Sequence, residues 1–171
     1  GSKVETIEDL LSENKNNFIA QIANDNSEGQ IVLSGRNSDI EKLIKVLKSK
    51  NVKNIKLPVS APFHCQLMSR ATEIMRNEIE KLSFHNSKNK LISNVTAKEI
   101  KNEEELKILL IDQIENRVRW RESVVHMINN GVNHFIEIGP GKVLSGLIKR
   151  IDKNVKTNTI NHTSHIKDLE L

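Results

Sequence analysis

The chain has 171 residues, of which 37% are hydrophobic and 28% are charged. These proportions are typical of a globular protein and exclude collagen, a long coiled coil and full disorder. No apolar run approaches the roughly 20 residues that a membrane-spanning helix needs. A single cysteine, Cys65, excludes an internal disulfide framework and a multi-cysteine zinc site. We therefore expect a cytoplasmic protein that uses no metal.

The charge balance is mildly positive, with 26 basic and 22 acidic residues and a net charge of +4. The basic residues are densest over residues 42–56, where all of them are lysines. These are Lys42, Lys45, Lys48, Lys50, Lys53 and Lys56. A solvated helix face explains this stretch most simply, and the alternative is a surface for an acidic partner. Aromatic residues make up only 3% of the chain. Nucleic acid is therefore not expected as a partner, because sheet-based RNA binding depends on stacked rings.

The first 58 residues predict the order helix, strand, strand, helix, strand. Apolar residues at helical spacing predict helices over 4–16 and 38–50, the second one capped by Ser38 with Glu41. The strands are predicted over 18–23, 30–35 and 55–59, with a polar turn over 24–29. This order is that of a split βαβ unit, a ferredoxin-like subdomain, without its first strand. The resulting open sheet edge, together with a start at Gly1 instead of Met, predicts a piece of a longer protein.

The rest of the chain alternates between helices and strands. Helices are predicted over 67–82, 103–113, 119–130 and 143–151, and strands over 91–95 and 134–138. Such alternation indicates a parallel α/β layer. The last residues show weak periodicity and predict a partly ordered tail. We therefore expect an α/β chain with three parts, which are 1–58, 59–152 and the tail 153–171.

The strongest indication of a site is the loop Pro58-Val59-Ser60-Ala61-Pro62-Phe63-His64-Cys65. A histidine just after a strand end lies where α/β folds place their sites. A lone histidine is more often structural, so the interpretation depends on three further segments. These are Asn24-Asp25-Asn26-Ser27-Glu28-Gly29-Gln30, Gln113-Ile114-Glu115-Asn116-Arg117-Val118-Arg119-Trp120 and Glu137-Ile138-Gly139-Pro140-Gly141-Lys142-Val143-Leu144.

In this order and at these separations, the four segments resemble the malonyl-CoA:acyl carrier protein transacylase family. Acyltransferase domains of polyketide and fatty acid synthases share the plan. The resemblance runs from about Ile7 to Ile151. It implies a large α/β-hydrolase-like subdomain, a ferredoxin-like insertion and an active site between them. It also implies ping-pong catalysis, in which a serine in a Gly-x-Ser-x-Gly elbow takes malonyl from coenzyme A. The acyl group then passes to the phosphopantetheine thiol of acyl carrier protein.

The resemblance assigns roles to four residues. His64 matches the catalytic base, and Gln113 matches the position whose main-chain carbonyl orients that base. Phe63 matches a substrate-binding position at which a bulky ring accompanies malonyl selectivity, because the ring leaves no room for an α-methyl group. Asn26 lies in the segment that approaches the substrate, where a structural role in the turn is equally compatible. No cofactor is implied, since malonyl-CoA is a substrate and the partner carries the phosphopantetheine.

No Gly-x-Ser-x-Gly segment occurs in the sequence. In the resembling family the serine, the carboxylate-binding arginine and the oxyanion loop all precede the insertion. We therefore expect this chain to carry the base without the nucleophile, to be inactive alone and to need the missing N-terminal half. Two alternatives stay open. One is a non-catalytic module that docks acyl carrier protein or RNA through the lysine-rich helix, and the other is a hydrolase that uses Cys65.

Overall fold

The computed structural model describes residues 2–85, 87–167 and 169. Within these residues it is a mixed α/β fold with two small sheets of two strands each. The helices are α1 (Val4–Glu13), α2 (Asn37–Ser49), α3 (Ser69–Glu80), α4 (Glu103–Asp112), α5 (Trp120–Asn129) and α6 (Val143–Ile151). The strands are β1 (Ala20–Ser27), β2 (Gln30–Gly35), β3 (His134–Ile138) and β4 (Lys156–Ile160). Short 3-10 helices cover Gln66–Met68 and Thr163–Ile166.

The first sheet is an antiparallel hairpin of β1 and β2. A turn was predicted over 24–29, whereas β1 continues to Ser27 and only Glu28 and Gly29 turn. The register shifts between Ile22 and Asn24, and again between Asp25 and Ser27. Such bulges insert an extra residue and re-aim a side chain, so a polar run can remain in the strand. Gly29 has a φ of 74°, the left-handed conformation that glycine adopts at no steric cost.

The first core lies between this hairpin and the two N-terminal helices. Its buried members come from α1, α2, β1 and the residue Phe18 before β1. They are Val4, Ile7, Leu10, Phe18, Ile22, Leu43 and Leu47. The predicted cap of α2 is wrong. The helix begins at Asn37 after Arg36, and no side chain caps it. Ser38 therefore lies inside the first turn, where its hydroxyl is past the capping position.

The strand predicted over 55–59 is not formed. Ile55, Leu57 and Val59 are 78%, 48% and 64% exposed and belong to no strand in the described part of the chain. An extended segment becomes a strand only when a neighbour takes up its backbone hydrogen bonds. β2 pairs with β1 at one edge, and its side chains border the same cavity as this segment. The apolar pattern is thus present, but no strand among the described residues pairs with this segment.

The second sheet pairs β3 with β4 in parallel, and α6 connects them. A parallel strand pair is therefore present, but its second strand lies at 156–160, within the segment predicted as a tail, and the larger parallel layer stays a prediction. Residues 91–95 form no named strand, and only Ile92 makes an isolated bridge, to Glu99. A second core is formed by Val124 of α5, Ile148 of α6 and Val155, which precedes β4.

β1 of the first sheet is hydrogen-bonded to the segment before α5. The backbone N–H of Asp25 donates to the carbonyl of Val118 at 2.9 Å, and Val118 N–H donates to Ala23 at 2.8 Å. β1 therefore touches the part of the chain that carries α5. The division at residues 58 and 152 stays a prediction. No helix among the described residues is long and apolar enough to cross a membrane.

Candidate active site

His64 lies in a tight turn between the extended segment 55–59 and α3. Its φ is +58°, a left-handed conformation that is uncommon outside glycine. Non-glycine residues hold such conformations only where the surroundings enforce them, and they concentrate at functional sites. Cys65, which follows, is 1% exposed, and its thiol donates to the carbonyl of Pro62 at 3.1 Å. The backbone N–H of Gln66 donates to Gln21 Oε1 at 2.8 Å, which fastens the turn to β1.

The half-buried His64 ring is hydrogen-bonded to the end of α4. Its Nδ1 lies 2.7 Å from the backbone oxygen of Gln113, the residue that follows the last helical residue. A carbonyl oxygen can only accept, so in the neutral ring Nδ1 carries the hydrogen and Nε2 carries the lone pair. That tautomer is the one a general base needs. The structure thus brings His64 and Gln113 together, and their roles as base and orienter stay predictions.

A further polar contact holds the side chain of Gln113, whose backbone oxygen meets His64. Asn94 Nδ2 donates to Gln113 Oε1 at 3.2 Å, and Arg119 N–H donates to the Asn94 carbonyl at 2.8 Å. No sequence motif marks Asn94 or Gln21 as part of the site. Both act through residues distant in the chain, so only the folded arrangement reveals them.

The residues predicted to bind substrate border a cavity of about 1600 Å³. Asn26, Phe63 and His64 all border it, whereas Gln113 touches only the far side of the His64 ring. Phe63 is 52% exposed, so much of its ring is free to meet a ligand. Asn26 is half-buried and sits at the second register shift of β1. The substrate-binding roles of Phe63 and Asn26 stay predictions.

The charged residues that border this cavity are all cationic. They are Arg36, Lys53, Lys56 and Arg150, and no carboxylate borders it in the described part of the chain. A cleft lined by one sign of charge attracts ligands of the opposite sign. The cavity border is therefore positively charged, and one of its cations, Lys56, also pairs with Glu41 at 3.9 Å.

A family model described as acyl transferase domain matches residues 7–168. The chain belongs to this family. It is 37% identical over 162 residues to a malonyl CoA-acyl carrier protein transacylase from Bacillus subtilis, covering 94% of this chain and 50% of that protein. Among solved structures, the malonyl CoA-acyl carrier protein transacylase of Clostridium perfringens superposes with a TM-score of 0.93 at 34% identity, over 98% of this chain and 53% of that one.

A third comparison is with a malonyl-transacylase solved in complex with its holo type II PKS acyl-carrier protein. It superposes with a TM-score of 0.90 at 32% identity, over 98% of this chain and 54% of that one. This acyl transferase chain thus spans about half the length of the relatives it matches. The match confirms the family that the sequence motifs indicate.

Among the described residues, the hydrogen-bond partner of the His64 ring is the Gln113 carbonyl and not a nucleophilic side chain. Cys65 is buried and its thiol points to Pro62, which argues against the alternative of a cysteine hydrolase. No serine hydroxyl is hydrogen-bonded to His64 within the described residues. The same residues hold no cluster of three side chains able to bind a metal ion.

Proposed function

We propose that this chain is the base-carrying part of a malonyl-CoA:acyl carrier protein transacylase. The observation that carries the proposal is the 2.7 Å contact between His64 Nδ1 and the Gln113 carbonyl, which leaves the Nε2 lone pair for proton transfer. The nucleophile is a serine of the missing N-terminal half, in agreement with the absence of a Gly-x-Ser-x-Gly segment. The chain alone is therefore inactive.

His64 moves one proton in each half-reaction. Nε2 takes the serine proton as the serine oxygen bonds to the thioester carbon, and the same proton passes to the coenzyme A sulfur as the carbon–sulfur bond breaks. In the second half-reaction Nε2 takes the proton of the phosphopantetheine thiol as its sulfur bonds to the acyl carbon, and returns that proton to the serine oxygen as the ester carbon–oxygen bond breaks. The Gln113 carbonyl stabilises the imidazolium that forms in between, so no buried carboxylate is needed for this task.

Charge and shape of the cavity support a malonyl thioester as substrate. Coenzyme A carries several phosphate charges, and the cationic border of the cavity complements them. Phe63 stands beside the base and reduces the space for an α-substituent, and Asn26 borders the same cavity from β1.

The remaining expectations follow from the resemblance. We propose that residues 1–58 are a ferredoxin-like insertion and that residues 59–152 complete an α/β-hydrolase-like subdomain. The partner is acyl carrier protein, as one structural neighbour was solved with such a protein. The enzyme acts in fatty acid biosynthesis in the cytoplasm, without a cofactor of its own.

A reconstitution experiment tests this function. The chain is co-expressed with the part of the Bacillus subtilis relative that it does not match, and malonyl transfer to holo acyl carrier protein is followed. We expect turnover only from the mixture. His64→Ala should lower kcat by about 100- to 10,000-fold, the usual contribution of a general base.

His85→Ala is the matched control, since His85 is exposed and lies outside the cavity border. It should leave the rate of the mixture unchanged. Turnover by the extensively purified chain alone would contradict the proposed absence of the nucleophile. An active mixture that is indifferent to His64→Ala would contradict the proposed base.

A further inference from the structure

Asn94 lies at the tip of a turn that is held rigid on its own. Ser93 is 5% exposed, its hydroxyl accepts from Val95 N–H at 3.1 Å, and its carbonyl accepts from Ala97 N–H at 2.9 Å. Ser93 N–H donates to Lys98 at 2.9 Å. A residue in such a turn has little backbone freedom left, so its side chain is presented in one direction.

That direction is toward the end of α4. Asn94 Nδ2 donates to Gln113 Oε1 at 3.2 Å, while the Asn94 carbonyl accepts from Arg119, the residue that precedes α5. Asn94 therefore holds the C-terminus of α4 and the N-terminus of α5 at the same time. Gln113 is the residue whose carbonyl meets His64.

The carbonyl of Gln113 lies at the end of α4, where contacts from outside the helix add to its order. The last carbonyls of a helix have no intrahelical partner, and helix ends fray. Gln113 N–H donates to the Leu109 carbonyl, and Ile114 N–H, which shares one peptide plane with the Gln113 carbonyl, donates to the Ile111 carbonyl at 3.2 Å. The side-chain contact with Asn94 adds a further restraint, since it fastens Gln113 at another point.

We propose that Asn94 is a positioning residue for the His64 base. By holding Gln113, it keeps the helix-end carbonyl on Nδ1 and so keeps the lone pair of the ring on Nε2. This rests on the proposed function only in so far as His64 is the base, because the tautomer of the ring is a property of the chain alone.

The experiment is nitrogen NMR of the histidine rings in the full chain labelled with ¹⁵N-histidine, with His64 assigned by comparison with His64→Ala. The ring nitrogen shifts report which nitrogen carries the hydrogen. In the unmodified chain we expect the Nδ1–H form for neutral His64. Asn94→Ala should shift the tautomer ratio toward Nε2–H by up to about fivefold, the equivalent of one neutral hydrogen bond.

Gln113→Ala provides an independent second variant, because it removes the same side-chain contact and keeps the backbone carbonyl. It should give a similar shift, and the double variant should add nothing further, as expected for two residues that share one interaction. Asn130→Ala is the matched control, since Asn130 donates its side-chain N–H to the His126 carbonyl at the end of α5. It should leave the His64 signals unchanged.

Two outcomes separate this inference from the proposed function. If Asn94→Ala and Gln113→Ala leave the tautomer ratio as it is in Asn130→Ala, the positioning role is wrong even if the reconstituted enzyme is active. If both variants shift the ratio and the reconstituted enzyme is inactive, the positioning role stands and the proposed function fails. In an active mixture, Asn94→Ala should lower kcat more than it raises KM.

Discussion

Arg121 on α5 and Asp25 on β1 form a bidentate ion pair. Arg121 Nε lies 3.1 Å and 2.9 Å from the two carboxylate oxygens of Asp25, and one terminal nitrogen lies 2.8 Å from the second oxygen. The Asp25 side chain is 1% exposed and that of Arg121 is 34% exposed. The hydrogen bond to Asp25 raises the pKa of Arg121 above its usual range, against the opposing effect of burial. The pair joins the strand that carries Asn26 to the helix after Gln113.

Loss of Arg121 should destabilise the chain strongly. Arg121→Ala leaves the Asp25 carboxylate buried without a counter-charge, which costs about 3–5 kcal/mol of unfolding free energy. Urea titration measures this change. Arg119→Ala is the control, because Arg119 pairs with Glu122 at 3.4 Å with both side chains 36% exposed. We expect about 1 kcal/mol or less for the control, as is usual for exposed pairs. Similar losses in both variants would contradict a structural role for the buried pair.

The elements that were predictable from sequence are those that carry their own pattern. α1 and α2 show apolar stripes at helical spacing, and β2 is a continuous apolar run ended by Gly35. β4 was missed because its sequence, Lys-Thr-Asn-Thr-Ile, shows little hydrophobic contrast and its partner β3 lies some twenty residues earlier. The strand predicted over 55–59 is wrong for the opposite reason, since the segment has the pattern of a strand but pairs with no strand among the described residues.

The candidate site was predictable only through the resemblance. His64 and Gln113 are 49 positions apart, and no spacing rule connects a loop histidine to a helix-end carbonyl. Asn94 was hidden in a predicted strand that the chain does not form. Its contribution depends on a contact with another side chain, which leaves no periodic trace in the sequence.

Glu137 should make the stability of the chain sensitive to acid. Its two carboxylate oxygens accept from the backbone N–H groups of Leu144 and Ser145, at 3.1 Å and 2.7 Å, at the start of α6. Partial burial raises the pKa of this carboxyl, but hydrogen bonds from Ser145, Leu144 and Val143 outweigh it and hold the pKa below the ordinary value. The stabilisation is therefore complete above the unfolded pKa of about 4.3 and is lost as the pH falls through the lower folded pKa.

The measurement is Tm as a function of pH. We expect Glu137→Gln to lower Tm at neutral pH and to flatten the fall in Tm below about pH 4.3, because the charge that prefers the folded state is gone. Glu104→Gln, an exposed residue of α4, serves as control. Parallel curves for Glu137→Gln and the unmodified chain would exclude this coupling between β3 and α6.

Leu43 should be a principal contributor to the first core. It is 1% exposed and belongs to the cluster that joins α1, α2 and β1. Leu43→Ala removes buried methyl groups and leaves a cavity, for which we expect a loss of about 2–5 kcal/mol in unfolding free energy. Ile108→Ala is the control, since Ile108 on α4 is 58% exposed. A loss below about 1 kcal/mol for Leu43→Ala would indicate that the core collapses around the site or is loosely packed.

Phe63 should determine which acyl groups the reconstituted enzyme accepts. Phe63 borders the same cavity as His64 and is 52% exposed, so its ring is not packed into a core and is free to contact a ligand. Phe63→Ala opens space for an α-methyl group, and a single methyl group in such a site is worth about 10- to 200-fold in kcat/KM. We expect the preference for malonyl-CoA over methylmalonyl-CoA to decrease by a factor of about 10 to 200. Direct competition between the two thioesters measures this preference. Phe84→Ala is the control, because Phe84 contacts Lys107 and lies outside the cavity border. An unchanged preference in Phe63→Ala, with turnover retained, would show that the ring does not limit the acyl group.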